Sequence, residues 1–317
     1  MFRVCSNIEI GKFKLDYINE VENTSSWKNL TDTATIKLPR KLVTKENQLL
    51  QDVIKKGDKV VIKLGYDNKL EQVFKGYIAY IKATIPVEIK LEDEMFMLKQ
   101  KSVKPTSWQK ASVNDVLKYV GIPKFKTFGN IDLGAFKIDD KIKNITGVFD
   151  KIKQQYGINF FYRNDTLIAG LPYDKENAST YSFSFIYDII SHDLEYRKKE
   201  DVRIKVKAIC NYLNGKKEIV ELGDSDGEEH TLNYYNLDRT ALKARAEAEM
   251  DKLKYEGYRG KFITFGMPKV SHGDIVDVKD SEYPERSGKF YVDSVRTTLS
   301  PNGGLRQEIE LGPKANA

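Results

Sequence analysis

Hydrophobic and polar residues alternate with period two through most of both ends of the chain, as in strands with one buried and one wet face. Residues 33–38 alternate until Pro39, which cannot donate to a ladder. Residues 60–64 and 74–81 follow as a pair of strands joined by a turn around Asp67-Asn68, and Glu88-Ile89-Lys90-Leu91 supplies a third. After Lys104-Pro105 the period changes. Ser112 is a hydroxyl cap for a helix running to Val120, with Asp115 near the positive end of its dipole. A second helix is predicted over 145–156, where Ile145, Phe149, Ile152 and Tyr156 share a stripe and Gly157 suits a left-handed end. Residues 158–162 and 166–169 then make a hairpin, closed by a polar loop at 171–177. Strands resume at 181–186 and 202–209. An acid-rich loop over 222–230 precedes an amphipathic helix at about 239–255, capped by Asp238 and buried through Leu242, Ala246, Met250 and Leu253. Lys243 and Glu247 add a pair on its wet face.

Two distant stretches read as copies of one unit. Each begins with a Gly-Asp turn, Gly57-Asp58 or Gly273-Asp274, and continues through three alternating strands. Residues 77–81 align with 291–295, and Gly76 and Gly288 are taken as further turns that define the repeat. Gly303-Gly304 is a hairpin turn. The fold expected is α+β, mainly β, with two related antiparallel β-barrel domains at 1–100 and 176–317 and a small α+β domain inserted at 101–175. A duplicated barrel lets a trimer present six similar faces.

Composition narrows the function classes. The 317 residues suffice for two or three domains with buried cores, and 40% hydrophobic with 31% charged residues describes a globular protein. No run of 18 apolar residues exists, so no membrane helix is expected, and the N-terminal segment lacks the apolar core of a signal peptide. Cys5 and Cys210 stand far apart, which predicts reduced, buried thiols. The net charge of +6 is spread among acids, as where Arg197-Lys198-Lys199 runs into Glu200-Asp201, so sequence-specific nucleic-acid binding is not expected.

Candidate chemistry is sparse. His192, His230 and His272 are isolated, with no metal-ligand spacing, and His272 is expected as an exposed turn residue because Lys56 holds its place in the first copy. The run from Asp224 to His230 lacks the twelfth-position glutamate of a calcium loop, since Tyr235 stands there. No nucleophile elbow, phosphate loop or dinucleotide fingerprint is present, so no catalytic residue, cofactor or metal is assigned. Two other functions remain open. The 18 tyrosines and 15 phenylalanines can line a sugar groove in a carbohydrate-binding or adhesive β protein. Among 46 acids, chance pairs suited to a peptidoglycan hydrolase are abundant.

Four segments carry a family resemblance. They are Asp188-Ile189-Ile190-Ser191-His192-Asp193-Leu194, the helix from Leu242 to Met250, Gly266-Met267-Pro268 leading to Gly273-Asp274-Ile275-Val276, and Gly288-Lys289-Phe290-Tyr291-Val292 with the final Glu308-Ile309-Glu310-Leu311. In this order the chain resembles the baseplate hub proteins of contractile-tailed phages, the late-control gene D family, and the N-terminal region of type VI secretion spike proteins. The resemblance implies two tube domains and a non-enzymatic homotrimer forming a pseudo-sixfold ring. Its partners would be a tail tube protein and a separate central spike protein. Its place would be the virion tail baseplate, assembled in the bacterial host cytoplasm, with a channel through which DNA can pass. The middle segment separately resembles the ring-building domains of secretins.

Overall fold

A computed structural model describes every residue except 1, 2, 17, 40, 45, 46, 128–130, 171, 175–177, 213–215, 236, 316 and 317. The predicted polar loop at 171–177 and the domain boundary at 175–176 therefore fall partly or wholly outside the described residues.

The first unit comprises β1 (Val4–Ile10), β2 (Phe13–Leu15), β3 (Glu20–Ser26), β4 (Thr33–Leu38), the short α1 (Leu50–Val53), β5 (Lys59–Tyr66), β6 (Lys69–Lys82) and β7 (Val87–Glu92). Alternation decides which face each strand buries. In β4, Ala34, Ile36 and Leu38 are buried, and in β7, Val87, Ile89 and Leu91. Asp67 and Asn68 take positive φ at the β5–β6 turn, the geometry that matches the twist of a hairpin.

The middle segment holds α2 (Met95–Gln100), β8 (Thr106–Ser112), α3 (Val113–Tyr119), β9 (Phe125–Thr127), β10 (Asp132–Ile138), α4 (Ile145–Tyr156), β11 (Asn159–Arg163) and β12 (Thr166–Gly170). Ser112 and Asp115 form a reciprocal capping box at the start of α3, and Gly157 ends α4 at φ 67°. Strands β8, β9 and β10 were not foreseen. Thr106–Ser112 carries mostly polar side chains, and the strand exists because it pairs with β10. This segment has its own core around Val116, Phe149 and Phe160, the two rings stacked at 4.4 Å.

The last stretch contains β13 (Thr180–Ser184), β14 (Ile189–Arg197), β15 (Ile204–Asn211), β16 (Lys217–Gly223), β17 (Glu228–Tyr235), α5 (Arg239–Leu253), β18 (Gly257–Phe265), β19 (Ile275–Lys279), β20 (Gly288–Ser300) and β21 (Gly304–Lys314). The segment expected as one loop over 222–230 is instead the end of β16, a tight turn and the start of β17. Both strands flank β15, β16 antiparallel and β17 parallel. Charged residues interrupt the apolar alternation there, and pairing with β15 supplies the order that periodicity did not signal. Helix α5 covers this small sheet with Leu242 and Ala246, giving it a separate core.

The two ends of the chain do not stand apart. Their strands form a single 13-stranded sheet in the order β14-β18-β21-β20-β3-β4-β7-β6-β5-β1-β2, with β13 and β19 attached beside β20. The link is the antiparallel pair β20–β3, from Ser294 opposite Ser26 to Leu299 opposite Val21. Leu305 of β21 is accordingly buried in the core of the first unit. No helix among the described residues is long and apolar enough to cross a membrane.

Candidate assembly site: two matching turns and the seam between them

The two Gly-Asp turns have the same construction. Gly57 and Gly273 take φ of 90° and 83°, open to glycine at little cost. Gly57 N–H donates to Ile78 O at 2.8 Å, and Gly273 N–H to Val292 O at 2.7 Å. Ile78 and Val292 return hydrogen bonds to the carbonyls of Asp58 and Asp274, both at 2.9 Å. Each aspartate side chain closes its own turn, Asp58 Oδ2 accepting from Lys55 N–H at 2.9 Å and Asp274 Oδ2 from Ser271 N–H at 2.8 Å.

The ladders beyond the turns also match. Lys59 lies opposite Tyr77, as Ile275 lies opposite Tyr291. On the other side Ile78 pairs with Leu91, an irregularity follows, and Tyr80 pairs with Lys90. Val292 pairs with Leu311, an irregularity follows, and Ser294 pairs with Glu310. Gly76 and Gly288, by contrast, are not turns and are not counterparts. Gly76 sits inside β6 opposite Val60, where a Cβ would lie 2.1 Å from Glu92 O, so its lack of a side chain serves close backbone approach. Gly288 opens β20 opposite Val278.

At the seam a cluster of side chains ties β3 to β20. Trp27 Nε1 donates to Asp293 Oδ1 at 3.1 Å, and Tyr173 donates its hydroxyl to the same oxygen. Lys28 reaches Asp293 Oδ2 at 2.8 Å and Glu310 at 3.0 Å. Burial works against the Lys28 ammonium, yet its hydrogen bonds to the two carboxylates outweigh that and raise its pKa. Tyr173 stacks on Tyr291 at 4.5 Å, and burial followed by the Asp293 charge pushes its hydroxyl pKa up strongly. Further along, Arg296 crosses the seam to Glu22 at 2.8 Å.

The middle segment packs where the two units meet, around a cavity of about 300 Å³ lined in part by Asn23, Asp32, Asp93, Tyr162 and Arg163. Asp32 accepts from Ser25 Oγ and Ser26 N–H, and Asp93 from the N–H groups of Asp32 and Met95. Burial raises both carboxyl pKa values, and for Asp93 the nearby Asp32 adds to it. Arg163 donates to His272 O at 2.7 Å and to Pro172 O at 3.4 Å. The expectation of an exposed His272 is overturned. It is 3% exposed, held edge-on to Phe161 at 5.1 Å, because β11 covers the second turn while Lys56 at the first stays exposed. Desolvation, then the Arg163 charge, lowers the His272 pKa to about 3. Cys210 is buried as expected, whereas Cys5 is half-buried, on a strand close to the rim. Trp27, Tyr173 and Asp293 were not singled out from the sequence, since they meet only across the seam.

The fold that carries the doubled turn, the repeated ladder and the continuous sheet is similar to those of solved phage tail and injection-system proteins. A tail protein from Neisseria meningitidis is similar over 99% of this chain and 97% of its own, with TM-score 0.67 and 16% identity. The prophage MuSo2 43 kDa tail protein from Shewanella oneidensis is similar over 97% of both chains, with TM-score 0.63 and 13% identity. The E. coli c3393 protein, a component of the type VI secretion system with structural similarity to the T4 tail proteins gp27 and gp5, matches at TM-score 0.58 and 10% identity, over 98% of this chain and 77% of its own. No protein-family model matches the chain, and no curated protein matches its sequence.

Proposed function

We propose that the protein is a structural, non-enzymatic hub of a phage, prophage or related contractile injection system. Three copies form a ring of six similar β units that joins a tail tube to a central spike. The observation that carries this reading is the duplication, since two units with matching turns and ladders in one sheet convert threefold symmetry into near-sixfold symmetry. The six turn and strand residues Gly57, Asp58, Gly76, Gly273, Asp274 and Gly288 act structurally, the two Gly-Asp pairs as the matching corners. The likeness in fold to tail proteins agrees with the reading, as does that to the type VI secretion component. The carboxylates Asp32 and Asp93, the most evident pair for a hydrolase, are already engaged: Asp32 accepts from Ser25 Oγ and Ser26 N–H, and Asp93 from the N–H groups of Asp32 and Met95.

Light scattering across a concentration series, with particle images, tests the ring. Three-copy rings with a central channel are expected at high concentration or beside the neighbouring tail proteins. A strict monomer under both conditions ends the hub reading.

A further inference from the structure

The internal seam has an unmade twin. The strand order β3-β4-β7-β6-β5-β1 of the first unit recurs as β14-β18-β21-β20-β19-β13 in the second. Ile36 of β4 pairs with Val21 and Ile89, and Phe262 of β18 pairs with His192 and Ile309. Counting along from these matched ladders, Val21 to Ser26 of β3 correspond to His192 to Arg197 of β14. Ser294 to Arg296 of β20 correspond in the same way to Tyr80 to Lys82 of β6. Inside the chain, β20 of the second unit grips β3 of the first. The corresponding edges, β6 of the first unit and β14 of the second, have no strand beside them among the described residues. β14 pairs only with β18, and residues 80–82 only with β7.

We propose that these two free edges join neighbouring copies of this chain. Residues 80–82 of one copy pair antiparallel with 195–197 of the next, Tyr80 opposite Arg197 and Lys82 opposite Glu195. The proposal rests on the ring reading above and names the strands that make its joints.

Three observations point to a second copy as the occupant. The first is continuity with the seam already built, because a unit that docks one way inside the chain presents the same surfaces at its other end. The second is charge. Arg296 and Glu22 form the ion pair across the internal seam, and their counterparts are Lys82 and Asp193. The signs are the same, and among the described residues neither Lys82 nor Asp193 makes a salt bridge within 4 Å, Lys82 lying opposite Glu88, whose carboxylate is bridged to Lys90. The third is apolar exposure. Val21 and Val295 are 1% and 3% exposed in the internal seam. The free β6 edge and the loop after it leave Tyr80 61% and Ile85 73% exposed, and Ile190 on β14 is 46% exposed. Ile186 and Tyr187, in the turn entering β14, are 60% and 81% exposed. An unpaired edge flanked by such side chains is a template for strand addition. The new joint is shorter than the internal one. β6 leaves its strand after Lys82, where Thr84 N–H turns back to Lys82 O at 2.8 Å, whereas β20 runs on to Ser300. Because the two edges differ, the contact is head-to-tail, and it closes into a ring only if the rotation per copy permits.

Matched cysteines test the register, since opposed strand residues meet the Cα spacing a disulfide needs. In a Cys5→Ser background, Lys82→Cys combined with Glu195→Cys is oxidised and run without reductant. Lys82→Cys with Ser191→Cys serves as the displaced control. A covalent three-chain species is expected from the matched pair, with at least tenfold less from the control and none from either single variant. Lys82→Asp is expected to lower ring formation about fivefold, and adding Asp193→Lys to restore it. Rings in particle images with equal cross-linking of matched and displaced pairs would overturn the strand pairing and leave the hub reading standing. Matched cross-links that build an open ladder of chains would keep the joint and remove the threefold ring. A chain that stays monomeric, in images and after oxidation, would remove both.

Discussion

At the scale of single residues, the two Gly-Asp corners share a backbone and differ in what covers them. Both glycines sit at positive φ, where an L side chain is strained. A Cβ on Gly57 would meet nothing within 4 Å, but one on Gly273 would fall 1.9 Å from Arg163 Nη2. Gly57→Ala should therefore cost about 1 kcal/mol and Gly273→Ala at least about 3 kcal/mol in urea unfolding. Equal losses would show that Arg163 is not pinned over the second corner. His272 beside it gives a pH signature. Its pKa falls from an ordinary 6.5 to about 3 on folding, so the unfolded chain takes up the proton first. This contribution is fully present above pH 6.5 and is lost as pH falls toward 3, about 2 kcal/mol of it by pH 5. Asp32 and Asp93 act in the opposite sense. Their raised pKa values favour the fold in acid, and that contribution is lost as pH rises above the ordinary carboxylate range. The His272 part is isolated by comparing the pH slopes of the native chain and His272→Gln between pH 7.5 and 5. Identical slopes would mean that His272 is not buried neutral.

Among the elements, the pair β20–β3 does most to set the architecture, and Asp293 is its polar centre. Removing that carboxylate leaves the Trp27 indole and the Tyr173 hydroxyl without their shared acceptor and frees one arm of Lys28. Asp293→Ala is expected to cost about 2–4 kcal/mol. Asp293→Asn, which keeps an acceptor oxygen, should cost about 1 kcal/mol, because the Lys28 side chain is 44% exposed and water screens its charge. Unfolding followed by Trp27 fluorescence in a Trp108→Phe background reads the seam directly. Similar losses for both variants would place the role of Asp293 in its charge rather than its hydrogen bonds. The small sheet of β15, β16 and β17 under α5 is separate from this, with a core of its own.

For the whole molecule, one sheet spanning both units means that the core of the first unit is incomplete without the second. Leu305 from β21 lies among the first unit's buried residues, and Tyr66 of β5 donates to Leu305 O at 2.9 Å. If copies assemble as proposed, each is held by its neighbours through mass action. Apparent stability should then rise with protein concentration, by about 1.4 kcal/mol or more for each tenfold rise in free protein above the dissociation constant. A melting temperature independent of concentration, over the range in which rings form, would count against assembly through folded surfaces.

Much of the local structure was legible along the chain, because it rests on short-range chemistry. Period two marks β4, β6 and β7, Ser112 with Asp115 caps α3, and Gly157 ends α4. The Gly-Asp corners were visible for the same reason, since only glycine enters that φ freely and the aspartate bonds its own turn. What lay beyond reach was set by distant partners. Strands β8 and β17 are polar or charged and owe their conformation to β10 and β15. Repetition suggested an exposed His272, yet β11 buries it. Above all, every strand edge offers the same row of N–H and C=O groups, so alternation tells which face is wet but not which edge meets which. That choice, β20 with β3, was made by the packing of Trp27, Tyr173 and Asp293 from three separate parts of the chain.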